Sequence, residues 1–303
     1  VRSDQAAARG GCPINQQSSG NGAVARRHET VSFLSDYGTA DEFVGVVKSV
    51  IRSLAPHAVV LDVTHDVAPY DVRAGGLALA RAVQYLAPGV VLGVVDPGVG
   101  TARRAIAVEV GEDGEGVLVG PDNGLLAGAV ALSGGATRAV ELTNTDYHLE
   151  APGPTFAGRD IFGPVAAHLC NGVDLLDLGE PVDPLGLVPG ILPLSREEDG
   201  GVAAEVLWVD RFGNAQLNVD PGDIASWGDV IVLRWASERR VAKRVPAYGD
   251  LGPGELGLIV DSYGLISVAV NQGSAAEQLK LPTATAVRLE ALPPDSSTGS
   301  PAS

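Results

Sequence analysis

The stretch Val94-Val95-Asp96-Pro97-Gly98-Val99-Gly100-Thr101-Ala102-Arg103-Arg104 carries the residue types and spacing most suited to chemistry. An apolar run from Val90 to Val95, broken only by Gly93, stops at an aspartate. A Pro-Gly turn, a second glycine and two arginines follow, and then another apolar run, Ala105 to Val110. The pattern predicts strand, tight loop, strand, with a carboxylate and a guanidinium brought together near one strand end. In open α/β sheets, ligands sit beyond the carboxyl ends of strands, where such a loop would lie. A glycine-rich turn with a weak surface ion pair is the plainer alternative, and spacing alone does not separate the two.

Other aspartates recur at comparable places. Asp36 follows the apolar run Val31 to Leu34, Asp62 with His65 closes Ala58 to Val63, and Val117 to Val119 runs into Pro121-Asp122-Asn123-Gly124. One aspartate after a strand is ordinary turn chemistry. Repetition along one sheet edge points to a shared polar site. A metal site of Asp62, His65 and Asp66 has too few imidazole or thiolate ligands to be supported, and no metal is expected. Thr155-Phe156-Ala157-Gly158-Arg159-Asp160 leads into an apolar run, Ile161 to Cys170, with Pro164 in a first helical turn. There Asp160 is expected to cap the helix and Arg159 to pair locally. Nucleophile-elbow, P-loop and H-E-x-x-H motifs are missing.

The elements that must position these residues follow from periodicity. Asp41 to Leu54 reads as a helix, with Phe43, Val47, Val50, Ile51 and Leu54 at helical spacing and Pro56 closing it. Val72 to Leu86 reads as a second helix, stopped by Pro88-Gly89. Alternation of strand and helix predicts an α/β N-terminal domain over 30–190, a mostly parallel sheet with flanking helices. The Pro- and Gly-rich segment 180–201, ending in Arg196-Glu197-Glu198-Asp199, marks the boundary. From 201 to 292 the texture changes to short strand-like runs: Val202 to Val209, Ala215 to Val219, Val230 to Trp235, Arg240 to Val245, Leu256 to Val260, Leu265 to Val270 and Ala286 to Leu289. That predicts an all-β, barrel-like C-terminal domain.

Composition bounds the rest. A net charge of −16 over 303 residues argues against nucleic acid as a partner. Two cysteines, Cys12 and Cys170, make no disulfide framework. No apolar run approaches a membrane span, and the cytoplasm is the expected compartment. Residues 1–29 read as a disordered extension or tag remnant, and 293–303 as a flexible tail. The chain contains no methionine, even at position 1, which points to processing or added residues.

Ser35-Asp36-Tyr37-Gly38, Asp62-Val63-Thr64-His65, Asp96 to Arg104, Pro121-Asp122-Asn123-Gly124, Thr155 to Phe162, Asp210 to Asn214 and Asn271 to Glu277 together carry a resemblance. They are similar to the adenosine-forming S-adenosylmethionine (SAM) hydrolases, or SAM hydroxide adenosyltransferases, relatives of the fluorinase and chlorinase. The resemblance runs from about Val31 to Leu289. It implies hydrolysis of SAM to adenosine and L-methionine by in-line attack of water on ribose C5′, with SAM as substrate and no cofactor. It also implies a homotrimer with each site between one subunit's N-domain and the next subunit's C-domain. By the same resemblance Asp36 holds the ribose hydroxyls, Tyr70 packs near the sugar, and Phe156 belongs to the substrate site. Asn214 and the backbone at Asn271 and Gln272 read adenine, with Phe212 and Tyr248 as apolar walls. Asp41, Asp210 and Ser262 hold the methionine end, and Tyr263 stands where halogenating relatives carry arginine. Asp96 and Arg103 match two members of the family's Asp-Arg-His group around the attacking water. The third position, histidine in Thr-Phe-His-Gly-Arg-Asp, is Ala157 here. Either a deliberate truncation, or a natural departure with water held by Asp96 and Arg103 alone, accounts for it, and SAM binding is expected to survive while turnover falls. A SAM-dependent halogenase, or a catalytically silent SAM or adenosine binder, are the alternatives.

Overall fold

The computed structural model describes residues 28–111 and 114–292. Cys12, most of the N-terminal extension and the tail from 293 lie outside the described residues. The first half builds β1 (Thr30–Ser35), α1 (Phe43–Leu54), β2 (Val59–Thr64), α2 (Val72–Ala82), β3 (Val90–Val94), β4 (Ala105–Val110), β5 (Gly116–Pro121), α3 (Ala127–Leu132), β6 (Ala136–Glu141), α4 (Gly163–Cys170) and β7 (Glu180–Pro181). These strands form one seven-stranded sheet in the order β2-β1-β3-β5-β4-β6-β7. The pairs β2–β1, β1–β3 and β3–β5 are parallel, whereas β4 runs antiparallel to both its neighbours.

β3 is buried at all five positions because helices cover both faces of the sheet, which is why its sequence carries no polar side chain. α1 turns Val47 and Ile51 into one core, beside Phe33, Leu92 and Phe162. α2 packs against the opposite face, where Leu79 joins Leu34, Val95 and Leu118. Its start is fixed by Asp71, whose side chain accepts from the Ala74 N–H at 2.8 Å. The helical stretch anticipated to Leu86 stops at Ala82 and tightens into a 3₁₀ turn over Val83–Tyr85.

The second half adds β8 (Arg196–Glu198), β9 (Gly201–Val209), β10 (Ala215–Leu217), β11 (Val230–Trp235), β12 (Glu238–Arg244), β13 (Leu256–Val260), β14 (Ile266–Val270), α5 (Ala275–Leu279) and β15 (Ala286–Ala291). Their order β10-β14-β13-β12-β11-β15-β9 closes through β9–β10 into a seven-stranded barrel, with β8 appended to β9. Closure removes the exposed strand edges that so many short strands would otherwise leave. The charged run 196–199, expected only to mark a boundary, supplies β8. Helix α2 also reaches the barrel, because Arg73 pairs with Glu205 on β9. Among the described residues no helix is long and apolar enough to cross a membrane. Cys170 is buried, and burial pushes its thiol up to about 12, so it is not a nucleophile.

Candidate functional site

The carboxyl ends of three neighbouring strands, β2, β1 and β3, build the polar end of the N-terminal sheet. A register shift between Phe33 and Leu34 gives β2 an extra residue just before the chain leaves both strands. Beyond β1, the Asp36 N–H donates to Val94 O at 3.3 Å and the Gly38 N–H to His65 O at 2.7 Å, so all three ends are tied together. Ser35 Oγ lies 2.8 Å from His65 Nδ1, and His65 Nε2 lies 3.0 Å from Asp62 Oδ1. Lys48 completes the chain, donating to Asp62 at 2.9 Å. Ser35 is fully buried, so this Ser-His-Asp row holds the loop and has no access to a substrate. Asp62 and His65 thereby tie the loop to Lys48 of α1.

The loop between β3 and β4 folds on itself. Val99 N–H donates to Asp96 O, and Thr101 Oγ to Gly98 O at 2.7 Å. Gly100 sits at φ +77°, a conformation costly for other residues. The turn swings Arg103 back so that its Nε donates to Asp96 Oδ1 at 3.0 Å while Nη2 meets Oδ2. The result is a two-pronged pair whose side chains are only 11% and 6% exposed. The plain surface ion pair is thereby excluded. Burial pushes the Asp96 carboxyl above its ordinary value, outweighing the downward pull of Arg103. A buried carboxylate made more basic yet kept oriented is suited to accept a proton.

Asp96 lines a cavity of about 410 Å³ with Asp36, Asp41, Tyr70, Phe156 and Ala157. Six of the residues anticipated from sequence therefore meet in one place, with Arg103 directly behind. Tyr70 has φ +69°, strained for a non-glycine residue, and its N–H donates to Asp36 Oδ2 at 2.8 Å. Ala157 is nearly buried and faces this cavity on one side and a larger one, about 650 Å³, on the other. Arg103 lines that second space, so Ala157 stands between the cavity that Asp96 lines and the one that Arg103 lines. After Ala157 the chain makes a π-helical turn, Gly158–Phe162, before α4 begins. Asp160 does not cap that helix as expected. It pairs with Arg159 at 2.5 Å, because the wider turn directs the two side chains alongside each other.

Tyr37 was not anticipated. Its ring packs edge-on against Phe33 and Phe156 and tilts against Phe43, and it lines the cavity. Burial, then the neighbouring Asp36 and Asp96, raise its phenol, so it stays a neutral donor. Gly158 is required beside it: a Cβ there would stand 2.3 Å from the Tyr37 hydroxyl. Asp122 belongs elsewhere. It accepts from Arg104 Nε at 2.9 Å and from the Val188 N–H at 2.8 Å, fastening the inter-domain segment.

The remaining anticipated residues gather at the barrel. A cavity of about 1010 Å³ is lined by Asp210, Phe212, Asn214, Tyr248, Ser262, Asn271 and Gln272. Asp210 organises its turn, accepting the N–H groups of Phe212 and Asn214 at 2.9 and 2.8 Å and the Asn214 side-chain amide at 2.7 Å. Burial, followed by Asp210 and Asp261, raises the Tyr248 phenol. Gln272, at φ +58°, turns the chain past Asn271, whose amide donates to Leu251 O at 2.5 Å. Trp208, also lining this space, was not anticipated, since a lone tryptophan in a strand reads as core. Asp41 stands apart from Asp210 and Ser262, in the N-terminal cavity. The two cavities share no lining residue, and each presents a bare aromatic ring, Tyr70 at 74% and Phe212 at 78% exposure.

Comparison with known proteins places this geometry. The profile of the SAM hydroxide adenosyltransferase N-terminal domain matches residues 31–179, and that of the C-terminal domain matches 204–288. The chain is 49% identical over 261 residues to an (R)-S-adenosyl-L-methionine hydrolase of Salinispora tropica, covering 86% of this chain and 97% of the relative. A protein of the same name from Thermus thermophilus is 40% identical over 276 residues, covering 86% of this chain and 98% of that one. Among solved structures, an uncharacterized conserved protein from Thermotoga maritima superposes with a TM-score of 0.79 at 35% identity, covering 86% of this chain and 99% of that one.

Proposed function

This chain belongs to the SAM hydroxide adenosyltransferase family, and from that premise we propose that it hydrolyses SAM to adenosine and L-methionine. What carries the conclusion is the buried Asp96–Arg103 pair at the cavity that also holds Asp36, Tyr70 and Phe156. The sulfonium makes methionine a neutral leaving group, so water can displace it in line at ribose C5′. Holding the water behind C5′ supplies much of the rate, and a base that takes its proton supplies part of the rest. Asp96, made more basic by burial, accepts that proton, and Arg103 keeps its carboxylate aimed. Asp36 binds the ribose hydroxyls, and Tyr70 and Phe156 wall the sugar. No cofactor is needed, since the activated carbon is in the substrate.

The barrel cavity takes the rest of the molecule. Asn214, Asn271 and Gln272 read adenine between Phe212 and Tyr248, and Asp210 and Ser262, with Asp41 from the other cavity, hold the methionine end. Because the two cavities share no residue, we assign the complete site to a homotrimer in which one subunit's N-domain faces the next subunit's barrel. The exposed apolar segment between the domains, with Leu185, Ile191 and Leu194 each more than 80% exposed, supports such burial between copies. Halogenation fits less well, because the Asp96 carboxylate would repel a halide beside the carbon it must attack.

Ala157 favours one second reading, a SAM binder with little turnover. Incubating this chain and its Ala157→His variant with SAM, then separating adenosine and methionine by chromatography, decides between them. The hydrolase reading expects both products from the histidine variant and far less from the unaltered chain. Binding of SAM by both with adenosine from neither would leave only the silent binder.

A further inference from the structure

The second cavity at Ala157, about 650 Å³, holds an imidazole that the proposed chemistry does not use. Its walls come from the β3–β4 loop, the end of β6, the segment 145–154 and the π-helical turn. His148 lies on that segment and lines the cavity together with Arg103 and Ala157. The segment is braced at three points. The Asn144 amide donates to Asp177 O at 2.8 Å, and the Tyr147 ring packs edge-on against His168 with centroids 5.0 Å apart. The Leu149 N–H donates to Asp160 O at 2.8 Å, tying the residue after His148 to the turn that follows Ala157.

The histidine itself is not accounted for by this bracing. His65 is bonded through both ring nitrogens, and His57 Nε2 lies 3.2 Å from Cys170 O. His148 Nε2, by contrast, is buried and meets no hydrogen-bond partner among the described residues. A buried polar atom left bare is costly to retain, and a polar cavity of this size admits water that would serve it. Burial draws the His148 pKa down, so the ring is neutral at pH 7 and able to accept a proton. The other charged groups lining the cavity are less suited to do so. Arg103 is held by Asp96, and Asp160 by Arg159. Glu141 and Glu150 are carboxylates, ordinarily about a hundredfold weaker as bases than an imidazole.

We propose that His148 is a positioning residue for this chain's reaction, taking on the proton from the Asp96–Arg103 pair through water held in the second cavity. The assignment rests on the SAM reading. As the C5′–S bond breaks and methionine leaves with its electron pair, the attacking water's oxygen bonds to C5′ and its proton goes to Asp96. Past Ala157, which lines both cavities, a cavity water carries that proton to the His148 ring, and the ring loses it to solvent. Arg103 stays protonated throughout and only orients the carboxylate.

The full chain, His148→Ala and Ala151→Trp are compared for SAM binding at equilibrium and for kcat of adenosine formation, with and without added imidazole. Ala151 is exposed at the cavity, so a tryptophan there narrows the space without removing a core side chain. His148→Ala is expected to lower kcat about tenfold, less than the roughly 10²–10⁴-fold of a base in direct reach, and to leave SAM affinity within about twofold. Imidazole restores His148→Ala and does nothing for Asp96→Asn. Ala151→Trp lowers kcat alike with His148 in place, and added to His148→Ala it abolishes the rescue. An unchanged kcat, a loss that imidazole does not mend, or a loss matched by weaker SAM binding overturns the proposal and leaves His148 as loop packing. A parent chain that binds SAM and forms no adenosine overturns hydrolysis and the relay with it. One that does not bind SAM overturns the SAM reading itself.

Discussion

Removing Arg103 while leaving Asp96 exposes the electrostatics on which the proposed chemistry depends. In Arg103→Met the thioether retains packing against Phe162, over which the guanidinium now lies at 5.3 Å. Asp96, 6% exposed, loses both prongs of its partner. Leaving one member of a buried pair costs roughly 3–5 kcal/mol. The folded state can escape by protonating the carboxyl, so the cost is capped by the work of doing so from an unfolded value of about 3.9. That cap is about 4 kcal/mol at pH 7 and about 1.5 kcal/mol at pH 5. The sign is fixed: a raised folded-state pKa means the native state binds more protons, so the variant loses stability as pH rises from 5 to 7. Urea unfolding of Arg103→Met against the parent chain at both pH values measures it. The deficit is expected to grow by at most about 2–3 kcal/mol between them, because the parent's own raised Asp96 carboxyl takes part of the same loss, and to lose that growth in an Asp96→Asn background. A deficit independent of pH, or unchanged when Asp96 is neutral, would refute the claim that Arg103 compensates a buried carboxylate.

Asp96→Asn alone should lower kcat roughly 10²–10⁴-fold with little change in SAM affinity. In active enzyme, the acid limb of kcat should fall above the ordinary aspartate value, because burial raises the carboxyl; a limb at or below that value would count against Asp96 as base. Gly158→Ala places a Cβ 2.3 Å from the Tyr37 hydroxyl. It should cost about 1–3 kcal/mol in thermal unfolding and weaken SAM binding with it. Asp96→Asn and Asn214→Ala chains, each made in the Ala157→His background and inactive alone, should regain activity when refolded together. About a quarter of the sites would then combine an intact N-domain with an intact neighbouring barrel. Failure to complement would argue for a site within one chain.

Much of this was legible because the local signals were strong. The run into Asp96 is apolar because β3 is covered on both faces, and Gly98 and Gly100 mark the turn that returns Arg103. The barrel strands were readable because turns punctuate them, and β11 and β13 occupy the anticipated spans. Helix α3 and strand β6 were not read. One is only six residues long with a single buried position, and the other carries no alternation. The cavity shared by His148 and Arg103, and the row Ser35-His65-Asp62, join residues that only the fold brings together. Asp160 was misassigned as a cap because the sequence gives no sign of the π-helical turn that redirects it.

One measurement bears most directly on the central claim, that water attacks C5′ of SAM at the Asp96–Arg103 pair. Ala157→His and its Asp96→Asn derivative are incubated with SAM in ¹⁸O-labelled water, and adenosine and methionine are weighed by mass spectrometry. The account predicts ¹⁸O in the adenosine 5′-hydroxyl, unlabelled methionine, and loss of both products in the Asp96→Asn derivative. Adenosine without the label, or undiminished release without Asp96, would contradict it.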